Sequence, residues 1–303
     1  MDDLERLIYG YHYMHDIVIP AAIRADVLAS DIYKMKTCLE NFAVYKCSCC
    51  GHLQVASHYR CKNRFCVMCQ HQRTKIWLAR LIPLLKKWKE DGNYVCMLNF
   101  TMIDLENLSD MIFAINNAFR ILSHDNKYNR KWFQDRFPGG VRSLEVVIGV
   151  NSGIWHVHLH CIVLQDKFER DYNELERRWN NACQLALGVT EGKVGSVYIS
   201  SVQGNFEQSI LEVIKYILKP NVDLYKIPDK FREAYDCLKG RKQVNSWGLF
   251  RNLINIIDKE YNKETKDFEC VDCGCNVATV KFLDLEECNL NDYDKNKNNL
   301  GLC

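Results

Sequence analysis

Between Asn41 and Lys89 the sequence contains no aspartate or glutamate. The same stretch holds Lys46, Arg60, Lys62, Arg64, Arg73, Lys75, Arg80, Lys86, Lys87 and Lys89. With no acid to offset it, such a block attracts polyanions. No apolar run reaches membrane-spanning length, which excludes a transmembrane helix and a membrane partner from the expectations. The opening stretch MDDLERLIYGY has no basic n-region, so a secretory signal is not expected and an intracellular protein is. No internal repeat is visible, which argues against a solenoid.

What is present narrows the field further. The chain has 303 residues, 48% of them hydrophobic, enough for one large or two smaller domains. Sixteen cysteines in an intracellular chain argue for metal binding rather than disulfides. Acids return in force only near the end, where Asp258 to Asp294 contains eleven against four lysines. That stretch reads as a solvated tail.

The cysteines cluster. CSCCGHLQVASHYRCKNRFCVMC, Cys47 to Cys69, contains two C-x-x-C pairs, Cys47 with Cys50 and Cys66 with Cys69. Two knuckles at this separation suit tetrahedral zinc, with Cys61 as a spare ligand. Embedded in the basic block, they read as a small platform presenting Arg60, Lys62, Arg64, Arg73, Lys75 and Arg80 to phosphates. A second group, Cys270, Cys273 and Cys275, with Cys288 further on, is a candidate for a second zinc at Cys270 and Cys273.

Histidine is scarce, yet three of nine fall at alternate positions in GIWHVHLHCIVL: His156, His158 and His160. Val157, Leu159, Ile162 and Val163 favour a strand, so the imidazoles share one face. The preceding RSLEVVIGV, 142–150, reads as a second strand, and NSG, 151–153, as the turn between them. Pairing Gly149 with His156 places Glu145 opposite His160, on the imidazole face. A mixed oxygen and nitrogen site with open positions suits Mn²⁺ or Mg²⁺. A one-residue slip would move Glu145 away.

Elsewhere, residues 1–45, 71–89, 105–135, 172–188 and 207–219 read as helical, and 93–102 and 195–202 as strands. On the helix at 207–219, Glu212 and Tyr216 are one turn apart and Lys219 follows. Tyrosine can serve as a covalent nucleophile and a carboxylate as a general base. Alone, Tyr216 reads as a core or rim aromatic; it gains interest from the histidine strand.

The order of CKNRFCVMCQHQR, MLNFT, HVHLHCIVL and EVIKYILKP resembles the replication initiators of rolling-circle plasmids, within the HUH endonuclease superfamily. The resemblance runs from about Lys46 to Pro220. It implies an α+β fold, a central antiparallel sheet with helices packed on it, preceded by the zinc-binding basic module. The domain layout expected is 1–45 helical, 46–90 zinc-binding and basic, 91–225 nuclease and 226–303 a C-terminal extension. The resemblance also implies His158 and His160 as metal ligands, Glu145 as the third and His156 as an extra. It implies Tyr216 as the catalytic tyrosine and Glu212 as the activator of water for a terminating cleavage. Lys219 is a candidate to orient the phosphate. The activity implied is nicking and rejoining of one DNA strand through a 5′-phosphotyrosine, with origin DNA as partner and host helicase and polymerase as candidate further partners. Two alternatives compete: a transposase of the same chemistry, and a non-catalytic zinc-containing DNA-binding regulator.

Overall fold

The structure, a computed structural model, describes residues 3–40, 42–51, 53–57, 59–149, 151–167, 172–201, 223–242, 244–262, 270, 273, 275 and 277–283. In chain order the elements are α1 (Asp3–Tyr13), a π-helical turn (Met14–Val18), α2 (Ile19–Arg24), α3 (Ala29–Glu40), β1 (Phe42–Cys47), β2 (Leu53–Ser57) and α4 (Val67–Glu90). There follow β3 (Tyr94–Met102), α5 (Leu108–His124), α6 (Lys127–Arg136), β4 (Gly139–Ile148), β5 (Trp155–Gln165), α7 (Asn173–Leu187) and β6 (Gly195–Ser201). The last described elements are α8 (Pro228–Leu238), β7 (Val244–Gly248), α9 (Leu253–Asn262) and β8 (Val277–Leu283).

The chain forms two compact units. One comprises Met1–Gln72, Tyr225–Lys239 and Asn262–Cys303; the other comprises Arg73–Leu224 and Gly240–Tyr261. This division differs from the consecutive segments read from the sequence, because late segments return to pair with early ones. In the first unit β8 lies against β1 in the antiparallel order β2-β1-β8. Asp31, near the start of α3, accepts hydrogen bonds from Tyr235 (3.0 Å) and Lys239 (2.7 Å) at the far end of α8.

The second unit is built on a five-stranded antiparallel sheet, order β6-β3-β5-β4-β7, with helices against it, an α+β arrangement. On one face Phe100 of β3 packs against Phe119 of α5 and Trp179 of α7, ring centroids 5.8 and 4.8 Å apart. On the other, Trp77, Leu81 and Leu85 recur every fourth residue along α4 and so form one stripe. They bury against Val95, Val141 and Ile162 of the sheet and Leu253 and Ile257 of α9. Gly140 is required in β4, because a Cβ there would overlap the ring of its cross-strand neighbour Trp247.

The region 105–135 is two helices rather than one. Asn107 caps the first through a hydrogen bond from the Asp110 N–H. Asn126, with extended backbone, caps the second by accepting from the Asn129 N–H. Such caps satisfy amides that have no partner within the helix. Helix α7 closes as expected at Gly188, which adopts φ 71°. Among the described residues no helix is long and apolar enough to cross a membrane.

Candidate functional site

Strand pairing sets the face. Across the sheet, Ser143, His160, Asn99 and Tyr198 form one row on β4, β5, β3 and β6, and Glu145, His158, Thr101 and Ser196 form the next. Directly paired residues of an antiparallel ladder share a face. The polar rows therefore occupy the same face as Ile162 and Val141, beyond the part covered by the apolar stripe of α4.

The hairpin register differs from the sequence reading. Glu145 pairs with His158, not His160, and Val147, not Gly149, pairs with His156. The strands end at Ile148 and Trp155 and the connection is longer than a tight turn at NSG. It is closed by the Gly149 N–H donating to the Ile154 carbonyl at 2.8 Å. The displacement is two residues, an even number, so Glu145 stays on the imidazole face.

Each outer histidine has an acid. The His160 Nε2–H donates to Glu145 Oε2 at 2.7 Å, with both side chains largely buried. His156 Nδ1 is hydrogen-bonded to Asp104 Oδ1. A carboxylate can only accept, so each of these nitrogens carries the proton. Asp104 was not foreseen. It lies past the end of β3, where reciprocal backbone hydrogen bonds between Leu105 and Trp155 (3.0 and 3.1 Å) bring it beside the histidine strand. Burial pushes the Asp104 carboxyl up, but the Ser152 hydroxyl and His156 outweigh this and hold it below its ordinary value.

His158 sits between, its ring centroid 4.2 Å from that of His156 and 5.6 Å from that of His160. Its Nδ1 is buried with no hydrogen-bond partner among the described residues. Burial, then the neighbouring His156, pushes the imidazole down to about 4, partly offset by Glu145. His158 is therefore neutral near pH 7 and offers a lone pair. The structure brings these groups to one face but does not close three of them round a single point. The other expected catalytic residues, Tyr216, Glu212 and Lys219, lie outside the described residues.

The cysteines divide differently from the sequence reading. Cys66 and Cys69 join Cys38 and Cys61, while Cys47 and Cys50 join Cys270 and Cys273. In the first group the Sγ separations include 3.5 Å for Cys38–Cys69, 3.6 Å for Cys61–Cys69 and 3.8 Å for Cys38–Cys66. In the second they are 3.4 Å for Cys47–Cys273 and 3.6 Å for Cys50–Cys270 and Cys50–Cys273. Four thiolates at about 2.3 Å from one tetrahedral ion stand about 3.8 Å apart. Either group could hold a metal ion.

The two C-x-x-C pairs thus lie in different thiol groups, and Cys270 and Cys273 join the N-terminal pair Cys47 and Cys50 rather than stand as a group of their own. The cause is strand pairing: Cys47 is opposite Val277, which delivers the preceding cysteines to the β1 end. Backbone N–H groups of Cys50 and Cys49 hold the Cys47 thiol down to about 6, favouring the thiolate a metal needs. Cys38, buried at the end of α3, was missed; it lies outside the conspicuous cluster.

The basic residues are not equivalent. Lys62, Lys75 and Arg80 are exposed. Arg60 and Arg64 are half-buried, and burial disfavours the charge on Arg64. Arg73 is tied to Asp258 at 2.7 Å.

Comparison with known proteins places these features in context. The family model described as a replication protein, Rep, matches residues 52–287. The chain is 22% identical to a Protein rep of Staphylococcus aureus over 52% of its own length and 68% of that protein's. It is 22% identical to a Protein rep of Streptococcus pneumoniae, covering 67% of this chain and 65% of the other. A Protein rep of Lentilactobacillus hilgardii is 23% identical over 69% and 70% of the two chains. No solved structure matches.

Proposed function

From the premise that the chain belongs to the Rep family of replication proteins, we propose that it initiates plasmid rolling-circle replication by nicking one DNA strand through a tyrosine nucleophile. The observation that carries the reading is the imidazole and carboxylate face: His158, with a buried nitrogen that has no partner among the described residues, beside Glu145 and His160. A structural role for His158 would leave that nitrogen's loss of water uncompensated.

Imidazole and carboxylate donors suit a divalent ion, Mn²⁺ or Mg²⁺; His158, His160 and Glu145 would hold it, with His156 as an extra, once their side chains turn toward one point. When bound, such an ion polarises the phosphodiester and offsets charge on its oxygens. Tyr216 supplies the attacking phenol oxygen. A bond forms from that oxygen to phosphorus and the bond to the 3′ oxygen breaks; the phenolic proton is passed on to the leaving oxygen. The products are a 5′-phosphotyrosine and a free 3′-hydroxyl that primes synthesis. Glu212 activates water for the terminating cleavage, and Lys219 orients the phosphate.

Zinc occupies the two four-thiol groups, and Arg60, Lys62, Arg64, Lys75 and Arg80 hold DNA by its phosphates. Arg73 contributes less, because Asp258 already neutralises it, and so does Arg64, whose charge burial disfavours. Family membership favours an initiator over a transposase.

The test is incubation with labelled single-stranded origin DNA and Mn²⁺. A denaturation-resistant protein–DNA adduct is expected from the native chain and none from Tyr216→Phe. Adduct of normal yield from Tyr216→Phe refutes the tyrosine assignment, and DNA binding without cleavage by the native chain favours the regulator.

A further inference from the structure

The second unit carries a cavity of about 260 Å³ built from α5, β4, β7 and the residues after β7. Its wall includes Arg120, His124, Arg142, Asn245 and Arg251, and among the described residues no aspartate or glutamate lines it. Arg142 and Glu145 are three apart on β4, so they point to opposite faces of the sheet. The cavity is therefore on the side away from the histidine cluster, and the mechanism above makes no use of it.

Arg142 is the anomaly. It is paired across the sheet with Cys161 and Asn245, and its guanidinium lies over the Phe119 ring at 4.4 Å from the centroid. Its Nη1 is buried with no hydrogen-bond partner among the described residues. Burial pushes its pKa down, and the one influence opposing this is the buried thiol of Cys161. His124 is lowered too, by burial and then by Arg130, Arg251 and Arg142, so cations dominate its surroundings.

A buried charge without a counter-charge is strongly disfavoured, and proteins normally pair it. The cation–π contact with Phe119 recovers part of that cost but cannot satisfy the N–H donors. Arg120 and Arg251 are exposed at the same cavity, so it is open to a ligand from solvent. Arg120 donates to the Asn117 side-chain oxygen at 3.0 and 3.3 Å and has Asp125 at 3.6 Å, and Asp125 stands outside the lining. Guanidinium forks and the Asn245 amide match the oxygens of a phosphate better than a lone point anion. The volume is below the roughly 300–1,000 Å³ of sites for drug-sized ligands, which suits one phosphate group and its ester rather than a large molecule.

We infer that this cavity binds a phosphate group, with Arg142 at its floor and Arg120 and Arg251 at its mouth. The phosphate comes either from a nucleic-acid backbone or from a free nucleotide. The first source rests on the proposed DNA function; the site itself does not.

Calorimetric titration of the full zinc-loaded chain with inorganic phosphate and with pyrophosphate, in chloride buffer, tests this. Saturable binding is expected, weakened at least tenfold by Arg142→Met. The double variant Arg120→Gln/Arg251→Gln, at exposed positions that do not endanger folding, is expected to weaken it as well. In phosphate-free buffer Arg142→Met should melt at or above the native temperature, because an uncompensated buried charge is gone, and phosphate should no longer raise its Tm. Absence of saturable binding by the native chain, or equal binding by both variants, overturns the site. A lower Tm for Arg142→Met together with native-like phosphate binding by the double variant would make Arg142 a packing residue and also overturn it. Competition between phosphate and a single-stranded oligonucleotide assigns the backbone as source. The slope of log affinity against log salt should then fall by about 0.7 for each arginine–phosphate pairing that the double variant abolishes. Simultaneous binding assigns a free nucleotide. Nicking activity is a separate readout, so failure of the proposed function leaves the phosphate result standing.

Discussion

His160 donates to Glu145 across 2.7 Å although the residue directly opposite Glu145 is His158. The acid reaches diagonally, which leaves the His158 nitrogen without a partner among the described residues. His156 is held by Asp104 in the same manner. Carboxylates that orient ligating imidazoles typically change metal affinity 10–100-fold when lost. Asp104→Asn is therefore expected to raise the Mn²⁺ concentration for half-maximal nicking by about 10–100-fold without changing DNA affinity. Glu145→Ala, which removes a proposed ligand as well as the partner of His160, should raise it too and free the His160 ring. A manganese titration of nicking checks both; unchanged curves would make the hairpin purely structural.

The two thiol groups should respond independently. Cys38→Ser removes a ligand from one and Cys270→Ser from the other. Each variant is expected to lose one of two bound zinc ions per chain, measured by elemental analysis, whereas the pairing of Cys47/Cys50 with Cys66/Cys69 would predict no loss from either. Structural zinc binding contributes directly to folding, so a chelator should lower the unfolding temperature of the native chain more than that of either variant.

Leu81 is buried in the middle of the α4 stripe. Leu81→Ala should destabilise the second unit by about 2–5 kcal/mol, the range for deleting a buried leucine side chain. Urea unfolding followed by the fluorescence of Trp77 and its neighbours gives the number; a loss under about 1 kcal/mol would mean the stripe is not packed as described.

Asp31 supplies a pH signature. The hydrogen bond from Lys239, opposed by burial and aided by Tyr235, holds its carboxyl below the ordinary value. A depressed carboxyl stabilises the fold above the unfolded-state pKa, near about 4. That contribution disappears as pH falls through the lower folded value. Asp31→Asn should thus flatten the loss of stability below about pH 4–5, read from melting temperatures across that range, and leave the slope near neutrality unchanged.

Glu212→Gln is expected to spare the first nick and the covalent adduct but impair termination. In the proposed mechanism Tyr216 is blocked by its own adduct, so the second cut needs a water and a base, and Glu212, four residues earlier in the sequence, is the candidate. Over-length, multimeric products should accumulate in a replication assay. Equal loss of both cuts would assign Glu212 to the activation of Tyr216 instead.

The sequence by itself determined the alternation of His156, His158 and His160, and with it a shared imidazole face, because period two is a local property of a strand. It determined the parity of Glu145 for the same reason, and the apolar stripe of α4 through its four-residue spacing. It also separated the basic block from the acidic tail. Tertiary structure alone decided the partners. The hairpin register moved by two because the strands stop at Ile148 and Trp155, which no turn residue announced. Asp104 reached His156 through backbone pairing of Leu105 with Trp155. Cys38 and the Cys270/Cys273 pair entered the metal groups because helix packing and the β1–β8 ladder cancel separations of up to 226 residues along the chain. Spacing within a cluster carries information about neighbours in sequence; which thiols meet is set by interactions whose cost and gain belong to the whole fold.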